Sequence, residues 1–496
     1  MLSEVDQIRL TVSKAADPKR KSHFGQFFTP APIARFMAEL FDLSGNDNCR
    51  LLDAGAGIGS LSAAFLDRWA SGSFNFQQVE LDAFEIDKSL QPYLTQTLEK
   101  YRKHSGFVLS IRNTDFVHAA ADYLSGSLFA ESLPKYTHAI LNPPYKKIRS
   151  NSSHRAALRR VGIETVNLYS AFVALSLSLL DDQGQLVAII PRSFCNGPYY
   201  RPFRNFILKR AAVRRIHLFK SRNKAFKDDD VLQENIIILL ERGGQQGPVV
   251  ISTSTDDSFS DLTIQKHPFD RVVFAEDTEQ FIHVPTSLEM NALELCPSIR
   301  YSLADLKVNV STGPVVDFRV KEHLCEMPEA HTVPLIYPAH FNSNGSEWPK
   351  KGIKKPNAIR RNSETEKWLY PNGFYCVVRR FSSKEEKRRV VANVVDPLDF
   401  ADAPVLGFEN HLNVFHDNKQ GLPKALAFGI ALYLNTTAVD ELFRTFNGHT
   451  QVNATDLKRI KYPSRATLIT LGEWALNQTE LTQEMIDKKL EILLNE

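Results

Sequence analysis

The chain has 496 residues, of which 43% are hydrophobic and 24% are charged, and its formal net charge is +3. This length favours two or more domains, the composition excludes a disordered chain, and the mild charge does not by itself indicate a polyanionic partner. The five cysteines are scattered without a CxxC pair, which argues against a zinc ribbon or a disulfide framework and favours the reducing cytoplasm.

The N-terminal region predicts neither export nor membrane insertion. Residues 1–22 are polar and end in the basic run Pro18-Lys19-Arg20-Lys21, which is typical of a loose, solvated arm. A basic segment followed by an apolar core is missing, so we expect no signal peptide. The longest apolar stretch, Leu168 to Leu180, contains three serines and is too short to cross a bilayer.

The segment Phe28-Thr29-Pro30 predicts the start of a helix. Thr29 is a suitable N-cap, Pro30 suits the first helical turn, and apolar residues follow at helical spacing as far as Leu40. A helix N-terminus with free amide donors beside a threonine hydroxyl is a ready site for a carboxylate.

A glycine-rich turn comes next in the chain. The stretch from Arg50 to Gly59, RLLDAGAGIG, predicts a strand and a tight turn before a helix that runs from Ser60 to about Trp69. Asp53 precedes the turn, and Gly55 and Gly57 let the backbone approach a ligand closely. The G-x-G-x-G spacing departs from the dinucleotide-binding fingerprint and resembles the cofactor loop of S-adenosylmethionine-dependent methyltransferases.

Two further predicted strands end in acidic residues. Glu85 follows the second strand, at the place where an acid can bind both ribose hydroxyls of a nucleoside. We place Ile86 against the adenine of such a ligand and expect Asp87 to cap the next helix. The strand from Val108 to Arg112 leads to Asp115 and Phe116, an acceptor for an adenine amino group and a ring to pack on it.

The tetrapeptide Asn142-Pro143-Pro144-Tyr145 follows the apolar strand Ala139-Ile140-Leu141. Two prolines cannot continue a sheet ladder, so the chain leaves the sheet there in a stiff, extended conformation. The Asn142 amide oxygen and the Pro143 carbonyl can both accept hydrogen bonds from one exocyclic amino group, and the Tyr145 ring can stack on the base that carries it. These groups could hold an amine that acts as a nucleophile.

Basic residues follow this turn, and the alternation of helices and strands continues beyond them. Lys146, Lys147 and Arg149 begin a segment, extending to Arg160, that predicts a flexible loop able to contact phosphates. The later predicted elements are a helix over 167–180, a turn over 181–185, a strand over 186–190, a helix over 201–215 and a final strand over 234–240. Phe226 lies in the polar stretch 223–227, where it could stack on a base or make a small core contact.

Composition changes at residues 241–248, which predict a domain boundary. The predicted segments are therefore an N-terminal arm (1–22), a catalytic domain (23–245), a mixed second domain (246–470) and a C-terminal helix (471–496). The predicted packing positions of that helix are Leu481, Met485, Leu490 and Leu493. Basic pairs interleaved with aromatics in the second domain suit a DNA-reading surface. The candidate DNA contacts there are Lys350, Lys351, Arg360, Arg361, Arg379 and Arg380, with His449, Gln451 and Asn453 in the polar loop that follows a helical region over 424–446.

Taken together, these motifs resemble the γ-class DNA adenine-N6 methyltransferases of type II restriction–modification systems. The chain is similar to the TaqI-type enzymes and closer still to the longer PstI- and XhoI-type ones, and the resemblance covers nearly all of it. Further familiar segments are 167–169, 311–313 with 316–318, and 448–453. The resemblance implies a doubly wound, seven-stranded, Rossmann-like α/β sheet with a separate, mixed α+β target-recognition domain.

The resemblance also implies roles for the candidate residues. The cofactor is S-adenosylmethionine, with Thr29 and Pro30 near its carboxylate, Asp53, Gly55, Gly57 and Asn142 at its methionine end, Glu85 at the ribose, and Ile86, Asp115 and Phe116 at the adenine. The substrate is double-stranded DNA, from which the target adenine flips out. Asn142 and Pro143 then accept from its N6 amino group, while Tyr145, with Phe226 as the second candidate, stacks on its ring. No metal ion is required.

Other readings stay open. A cytosine-N4 methyltransferase usually has serine at the position of Asn142, and RNA guanine-N2 or protein-glutamine methyltransferases share the tetrapeptide without a large basic second half. A catalytically inactive DNA-binding protein would not need the intact glycine turn, Glu85, Asp115 and Asn142. The family admits a cognate restriction endonuclease as a partner, and its palindromic sites are compatible with a monomer, with a dimer as the alternative.

Overall fold

Strands and helices alternate through the first half of the chain, as the sequence predicts. The computed structural model describes residues 2–15, 28–42, 47–128, 130–221, 234–342, 345–400 and 402–495. Contacts between residues divide the chain into two compact units, Met1–Leu288 and Glu289–Glu496. Within the described residues, no helix is both long enough and apolar enough to cross a membrane.

Unit 1 contains nine strands and eight helices among its described residues. The strands are β1 (Asn48–Ala54), β2 (Gln78–Phe84), β3 (Phe107–Arg112), β4 (Tyr136–Leu141), β5 (Leu180–Pro191), β6 (Ala211–Phe219), β7 (Asn235–Arg242), β8 (Val249–Ser254) and β9 (Thr263–His267). The helices are α1 (Leu2–Ala15), α2 (Ala31–Glu39), α3 (Ser60–Ala70), α4 (Gln91–Glu99), α5 (Phe116–Leu124), α6 (Ser153–Arg160), α7 (Leu168–Leu179) and α8 (Arg201–Arg210).

All nine strands form one mixed sheet in the order β3-β2-β1-β4-β5-β7-β6-β8-β9. The five strands β1 to β5 are parallel, so their carboxyl ends meet at the same edge, and β7 runs antiparallel between β5 and β6. The expected seven-stranded sheet is therefore too small: β8 pairs with β6, and β9 pairs with β8. For the same reason unit 1 extends past the predicted boundary at residue 245.

Apolar side chains cover both faces of this sheet, as a doubly wound α/β fold requires. One core joins Leu141, Ile190 and Ile236 with α5, α7 and α8, and the other joins Ile140, Ile189 and Ile237 with α1 to α4. Residues that alternate along β4, β5 and β7 thus face opposite cores. This alternation fixes which polar residues at the carboxyl edge share a face.

The predicted N-terminal arm and the predicted helix over 201–215 differ from the structure. Residues 2–15 of the predicted loose arm form α1, because Leu2, Val5 and Val12 bury themselves in the second core. The helix predicted over 201–215 ends at Arg210, and the following residues pair as β6. The apolar residues of that stretch fit the periodicity of a helix as well as that of a strand, and pairing with β7 makes it a strand.

Unit 2 has eleven short strands and six helices in its described part. The strands are β10 (Asn309–Thr312), β11 (Leu324–Cys325), β12 (Thr332–Ile336), β13 (Phe341–Asn342), β14 (Gly345–Ser346), β15 (Ala358–Arg360), β16 (Leu369–Pro371), β17 (Tyr375–Arg379), β18 (Ala392–Val395), β19 (Val405–Phe408) and β20 (Leu412–His416). The helices are α9 (Ala292–Leu295), α10 (Lys424–Leu434), α11 (Thr437–Phe446), α12 (Ala454–Arg459), α13 (Arg465–Leu476) and α14 (Gln483–Asn495).

The strands of unit 2 build a four-stranded sheet, β10-β20-β17-β18, a five-stranded sheet, β11-β15-β12-β19-β16, and the hairpin β13-β14. Helices α10 and α13 pack closely, because a Cβ atom on Gly472 would lie 1.8 Å from the Ala425 carbonyl oxygen. The predicted helical region over 424–446 is two helices, since Thr436 caps the start of α11.

The predicted C-terminal helix is confirmed as α14, although the range 471–496 also contains the end of α13. Of its four predicted packing positions only Leu490 is buried, and Leu481 is exposed. Ile486, which lies one turn before Leu490, is the other buried residue of α14.

Candidate active site

The Asn142 side chain is held from two sides at the carboxyl end of β4. Its Nδ2 donates to the Thr29 hydroxyl at 2.9 Å, and its Oδ1 accepts from the Tyr145 hydroxyl at 3.2 Å. The Tyr145 hydroxyl also lies 3.2 Å from the Ile189 carbonyl oxygen on β5. The amide is therefore held between the hydroxyl of Tyr145 and that of Thr29, which lies 113 residues away in sequence.

The chain after the tetrapeptide is anchored rather than flexible. Pro143 is buried and Pro144 half-buried, and residues 146–148 then pair with 166–168 through the Ile148 amide to the Val166 carbonyl and the Leu168 amide to the Lys146 carbonyl, both at 2.8 Å. The predicted loop also contains α6, which Ser152 caps. The side chains of Lys146, Lys147 and Arg149 are exposed, as phosphate contacts need to be.

The Phe28-Thr29-Pro30 segment starts α2 one residue later than predicted. Pro30 is the N-cap, and the Thr29 hydroxyl turns to Asn142 instead of capping the helix. The Ala31 amide donates to the Asp6 carboxylate of α1 at 3.1 Å, so one donor expected to be free for a ligand carboxylate is occupied. Thr29 and Pro30 are both buried beside the tetrapeptide.

Asp53 ends β1 as a buried carboxyl group with an incomplete set of hydrogen bonds. It is 0% exposed, and Ser62 donates to its Oδ2 at 2.5 Å. Its Oδ1 has no hydrogen-bond partner among the described residues. Burial raises the pKa of Asp53 to about 7, against the hydrogen bond from Ser62. A cationic or hydrogen-bonding ligand group would satisfy the remaining oxygen.

The glycine turn holds the Glu85 carboxylate. Gly55 and Gly57 have φ of +80° and +58°, a region that favours glycine, and the Gly57 amide donates to Glu85 Oε2 at 2.8 Å. The Asp87 amide donates to Glu85 Oε1 at 2.6 Å. Burial raises the pKa of Glu85 to about 6, and these backbone amides oppose the rise. Asp87 does not cap α4; its side chain accepts from Ser89.

The three residues assigned to adenine have different environments. Ile86 is 48% exposed, as a residue must be to cover a ligand. Asp115 caps α5 through the His118 amide at 3.1 Å and accepts from His154 Nε2 at 2.8 Å. Phe116 is buried between Phe84 and Phe172, so its ring already has core partners.

The Asp115–His154 pair links this region to α6. Burial opposes ionisation of Asp115, but the hydrogen bond and charge of His154, together with those of His118, outweigh it and lower the pKa of Asp115. The same hydrogen bond raises the pKa of His154. Ligand atoms of Asp115, His118 and His154 lie within 4.8 Å of one another, a spacing that a metal ion could use.

The chain is similar to known restriction–modification methyltransferases over its whole length. The family profile of the Eco57I restriction-modification methylases matches residues 78–226. Type II methyltransferase M.BsuBI of Bacillus subtilis is 55% identical over 497 residues, which cover 100% of this chain and 98% of the relative. The chain belongs to the Type II restriction–modification methyltransferases. Type II methyltransferase M.PstI of Providencia stuartii is 40% identical over 99% of this chain and 97% of its own length.

Solved structures support the fold of this methyltransferase. The Type IIL restriction–modification enzyme MmeI, determined in complex with DNA, has a TM-score of 0.52 at 10% identity and covers 99% of this chain and 73% of its own. The DrdV–DNA complex has a TM-score of 0.53 at 13% identity, covering 95% of this chain and 59% of its own. At such identities the likeness concerns the fold alone.

S-adenosylmethionine is the cofactor of this methyltransferase, and the residues at the carboxyl edge fit it. The cofactor carries a positively charged ammonium group, ribose hydroxyls and an adenine ring. Asp53 offers a buried carboxylate oxygen without a partner, Glu85 a carboxylate held on the glycine turn, and Ile86 an exposed apolar surface. An anionic, partly apolar donor set of this kind suits the cofactor better than a phosphate-bearing dinucleotide.

Most of the predicted DNA-contacting cations of unit 2 form an ion pair or a hydrogen bond with another side chain at the surface of that unit. Lys351 is exposed, and the other cations have protein partners: Lys350 with Glu347, Arg360 with Glu329, Arg361 with Glu366, Arg379 with Glu386 and Arg380 with Gln451. Ion pairs at a surface contribute about 0–1 kcal/mol each, so a phosphate can replace the carboxylate. Asn453 caps α12, and His449 and Gln451 are half-buried.

Asn235 is the residue that the sequence analysis overlooked. It starts β7 opposite Pro191, is 3% exposed, and neither its amide oxygen nor its nitrogen is hydrogen-bonded within the part of the chain that the structure describes. By alternation it lies on the face of Ile237, which is the face of Ile140 and therefore of Asn142. Only a lone polar residue beginning an apolar strand could have drawn attention to it. Phe226 lies outside the described residues.

Proposed function

We propose that this methyltransferase transfers a methyl group from S-adenosylmethionine to N6 of a flipped-out adenine in double-stranded DNA, as the modification enzyme of a Type II restriction–modification system. The position of the Asn142 side chain, held between the Thr29 and Tyr145 hydroxyls at the carboxyl end of β4, carries the proposal. Similar folds in MmeI and DrdV were determined with DNA, which supports DNA as the substrate. Unit 2 then serves as the target-recognition domain.

The proposed chemistry depends on acceptors for the protons of the reacting amine. The N6 lone pair of adenine is delocalised into the ring and is a poor nucleophile. Asn142 Oδ1, oriented by Thr29 and Tyr145, accepts from one proton of the amine, and the Pro143 carbonyl accepts from the other. Their combined pull draws the nitrogen toward a tetrahedral arrangement and concentrates its lone pair. Because the amide is already oriented before the base arrives, little reorganisation is needed.

The cofactor, when bound, supplies an electrophilic methyl group on a sulfonium. In this proposal Thr29 and Pro30 border its carboxylate, Asp53 receives its ammonium, Gly55 and Gly57 admit the methionine end, and Glu85 accepts from the ribose hydroxyls. Ile86, Asp115 and Phe116 surround the adenine. The buried, unpartnered oxygen of Asp53 supports this orientation, because a buried carboxylate is otherwise costly.

The base must leave the duplex, because its N6 atom is not accessible inside the helix. Tyr145 is the proposed stacking residue, since its hydroxyl is held on Asn142 and Ile189 while its ring belongs to the edge of the core. Phe226 remains the proposed second stacking residue. The exposed cations Lys146, Lys147 and Arg149 directly follow Tyr145 and are proposed phosphate contacts.

The test is transfer of labelled methyl from S-adenosylmethionine to unmethylated DNA, followed by nucleoside analysis. We expect N6-methyladenine, at one adenine of a short recognition sequence. Asn142→Ala should lower the transfer rate by about 10²–10³-fold, the usual effect of removing one group that stabilises a transition state.

Asn477→Ala is the matched control, because Asn477 lies at the end of α13 and, among the described residues, its side chain hydrogen-bonds to the Glu473 carbonyl alone. It should methylate DNA at the wild-type rate. N4-methylcytosine as the product would replace adenine by cytosine in the proposal. Transfer to RNA or protein, but not to several unmethylated DNAs, would overturn the choice of substrate.

A further inference from the structure

Four segments distant in sequence meet at one end of the four-stranded sheet of unit 2. The Val315 amide donates to the Phe408 carbonyl at 3.1 Å, the Arg380 amide to the His411 carbonyl at 2.8 Å, and the Val452 amide to the Arg380 carbonyl at 2.7 Å. The chain order across this strip is therefore 313–316, 408–412, 379–382 and 450–452. Three of these segments contain residues that the sequence analysis marked.

The Gly313 segment approaches the turn between β19 and β20 very closely. A Cβ atom at Gly313 would lie 2.2 Å from the Glu409 carbonyl oxygen and 2.7 Å from that of Phe408. Only glycine allows this approach, which explains why Gly313 stands in the segment 311–313. The proposed catalysis does not use this segment. The Gly313 backbone thus packs directly against the turn that carries Glu409 and His411.

Glu409 is a wholly buried carboxyl group that serves one side chain. It is 0% exposed, and its two oxygens lie 2.5 Å and 2.7 Å from Nδ1 of His411. One of them also accepts from the His411 backbone amide at 2.8 Å. Burial raises the pKa of Glu409, and these hydrogen bonds from His411 oppose the rise. A buried carboxylate is costly unless it is paired or hydrogen-bonded. Glu409 forms its hydrogen bonds with His411, so we infer that it orients the His411 imidazole.

The His411 imidazole faces outward among groups that suit a base edge. It is 39% exposed, and its ring lies 4.9 Å from that of Phe381, which is itself exposed. Arg380 lies over the Phe381 ring and places its guanidinium 3.4 Å from the Gln451 side chain. A fixed imidazole, an arginine, a glutamine and an aromatic ring are groups that read bases in DNA grooves.

The loop that carries Gln451 is held in place by a buried arginine. Arg389 donates to the Asn447 side chain at 2.7 Å and to the His449 carbonyl oxygen, and Asn447 in turn donates to the Gln451 carbonyl at 3.0 Å. These hydrogen bonds hold the loop over residues 447–451, which carries Gln451, in a defined position. Side chains that must hold register on a duplex need this kind of support.

We propose that His411, oriented by Glu409 and flanked by Arg380, Phe381 and Gln451, reads one base pair of the recognition sequence through its Nε2 atom. The proposal rests on the proposed function, since it takes DNA as the substrate. With Nδ1 bonded to Glu409, Nε2 is the ring nitrogen that remains to form a hydrogen bond with a base edge in the major groove.

Two variants at His411 separate base reading from support of the turn. His411→Ala removes both nitrogens. His411→Asn keeps a donor where Nδ1 was, so it can still bind Glu409, but it has nothing in place of Nε2. We expect both variants to lose discrimination at the same single position, by roughly 5- to 150-fold in relative methylation rate. His411→Asn should retain the thermal stability of the wild type.

The measurement is methylation of a library of DNAs that differ from the recognised sequence at one position each, with methylated positions determined by sequencing. The matched control is His323→Ala, because His323 is also paired with a carboxylate of unit 2, Glu364, but lies outside the strip. Cofactor affinity is measured for every variant and should not change.

Unchanged relative rates in His411→Asn, with the wild-type sequence still preferred, would show that His411 only supports the turn and would overturn the proposal. A uniform loss at all positions, without lost discrimination at one, would also overturn it. If the wild-type chain transferred no methyl group to any DNA, the proposed function would fail first. The two failures are therefore distinguishable.

Discussion

The carboxyl group of Asp53 couples the stability of the cofactor-free protein to pH. Burial raises its pKa from 3.8 to about 7. An unfolded chain releases this proton near pH 4, whereas the folded chain keeps it to about pH 7, so the stability contributed by the protonated group is complete below pH 3.8 and falls as pH rises between these values. Since each pH unit corresponds to about 1.4 kcal/mol, the loss above pH 7 is roughly 4 kcal/mol.

Asp53→Asn removes the charge and keeps the shape. At pH 8 it avoids the cost of roughly 4 kcal/mol but leaves an amide nitrogen without a partner, which costs about 1–3 kcal/mol. We therefore expect the free energy of unfolding of the cofactor-free protein to rise by about 1–3 kcal/mol at pH 8 and to change little at pH 5. Affinity for S-adenosylmethionine should fall about 10- to 100-fold, because a hydrogen bond between charged groups contributes about 1.5–3 kcal/mol.

Urea unfolding at both pH values and calorimetric titration of the cofactor test this reasoning. Asp82→Asn is the matched control: Asp82 is also buried, pairs in register with Leu52 beside Asp53, and accepts from Tyr136 at 2.7 Å and Arg112 at 3.3 Å. That substitution should destabilise the protein and leave cofactor affinity unchanged. The reasoning is refuted if Asp53→Asn destabilises at pH 8 and binds the cofactor as tightly as the wild type.

Three further outcomes are expected. Asn235→Leu removes a buried amide that has no partner among the described residues, so the midpoint of thermal unfolding should rise while methyl transfer slows at least tenfold; equal activity would refute a role in the site. Gly472→Ala places a Cβ atom 1.8 Å from a carbonyl oxygen of α10 and should lower the free energy of unfolding by about 2–3 kcal/mol in urea. His154→Ala removes a pair in which the pKa of His154 is raised, so its destabilising effect should be full below pH 6.5 and shrink as pH rises through the raised value; a difference that grows with pH would contradict this.

The sequence predicted the parallel strands correctly because its local signals there, glycines in a turn and short apolar runs, each indicate a single local structure. Glycines at 55 and 57 adopt positive φ, and β1, β2 and β4, whose carboxyl ends carry Asp53, Glu85 and Asn142, lie where their apolar runs indicate. The elements that failed depend on partners remote in sequence. Residues 2–15 are helical because α2 and α3 provide a surface for them, and β8 and β9 extend the sheet because β6 has a free edge.

The site was predicted as a set of residues, but not as a set of contacts. That Thr29 turns away from its own helix to hold Asn142 cannot be read from either segment, because the hydrogen bond joins residues 113 positions apart. Asp6 at the start of α2 and His154 on Asp115 are contacts of the same kind. Asn235 escaped notice for the opposite reason, since its meaning lies in a missing hydrogen bond and not in any motif.

The hydrogen bond between Thr29 and Asn142 has a consequence for how cofactor and base binding depend on each other. The Thr29 hydroxyl accepts from Asn142, and its own proton remains for donation to the cofactor carboxylate proposed beside it. One hydroxyl would thus serve both sites, and by linkage any effect of the cofactor on DNA affinity must equal the effect of DNA on cofactor affinity. Thr29→Val should remove that coupling, while Thr29→Ser, which keeps the hydroxyl, should preserve it. Titrations of cofactor with and without DNA measure the ratio; an undiminished coupling in Thr29→Val would place the link between the two sites elsewhere.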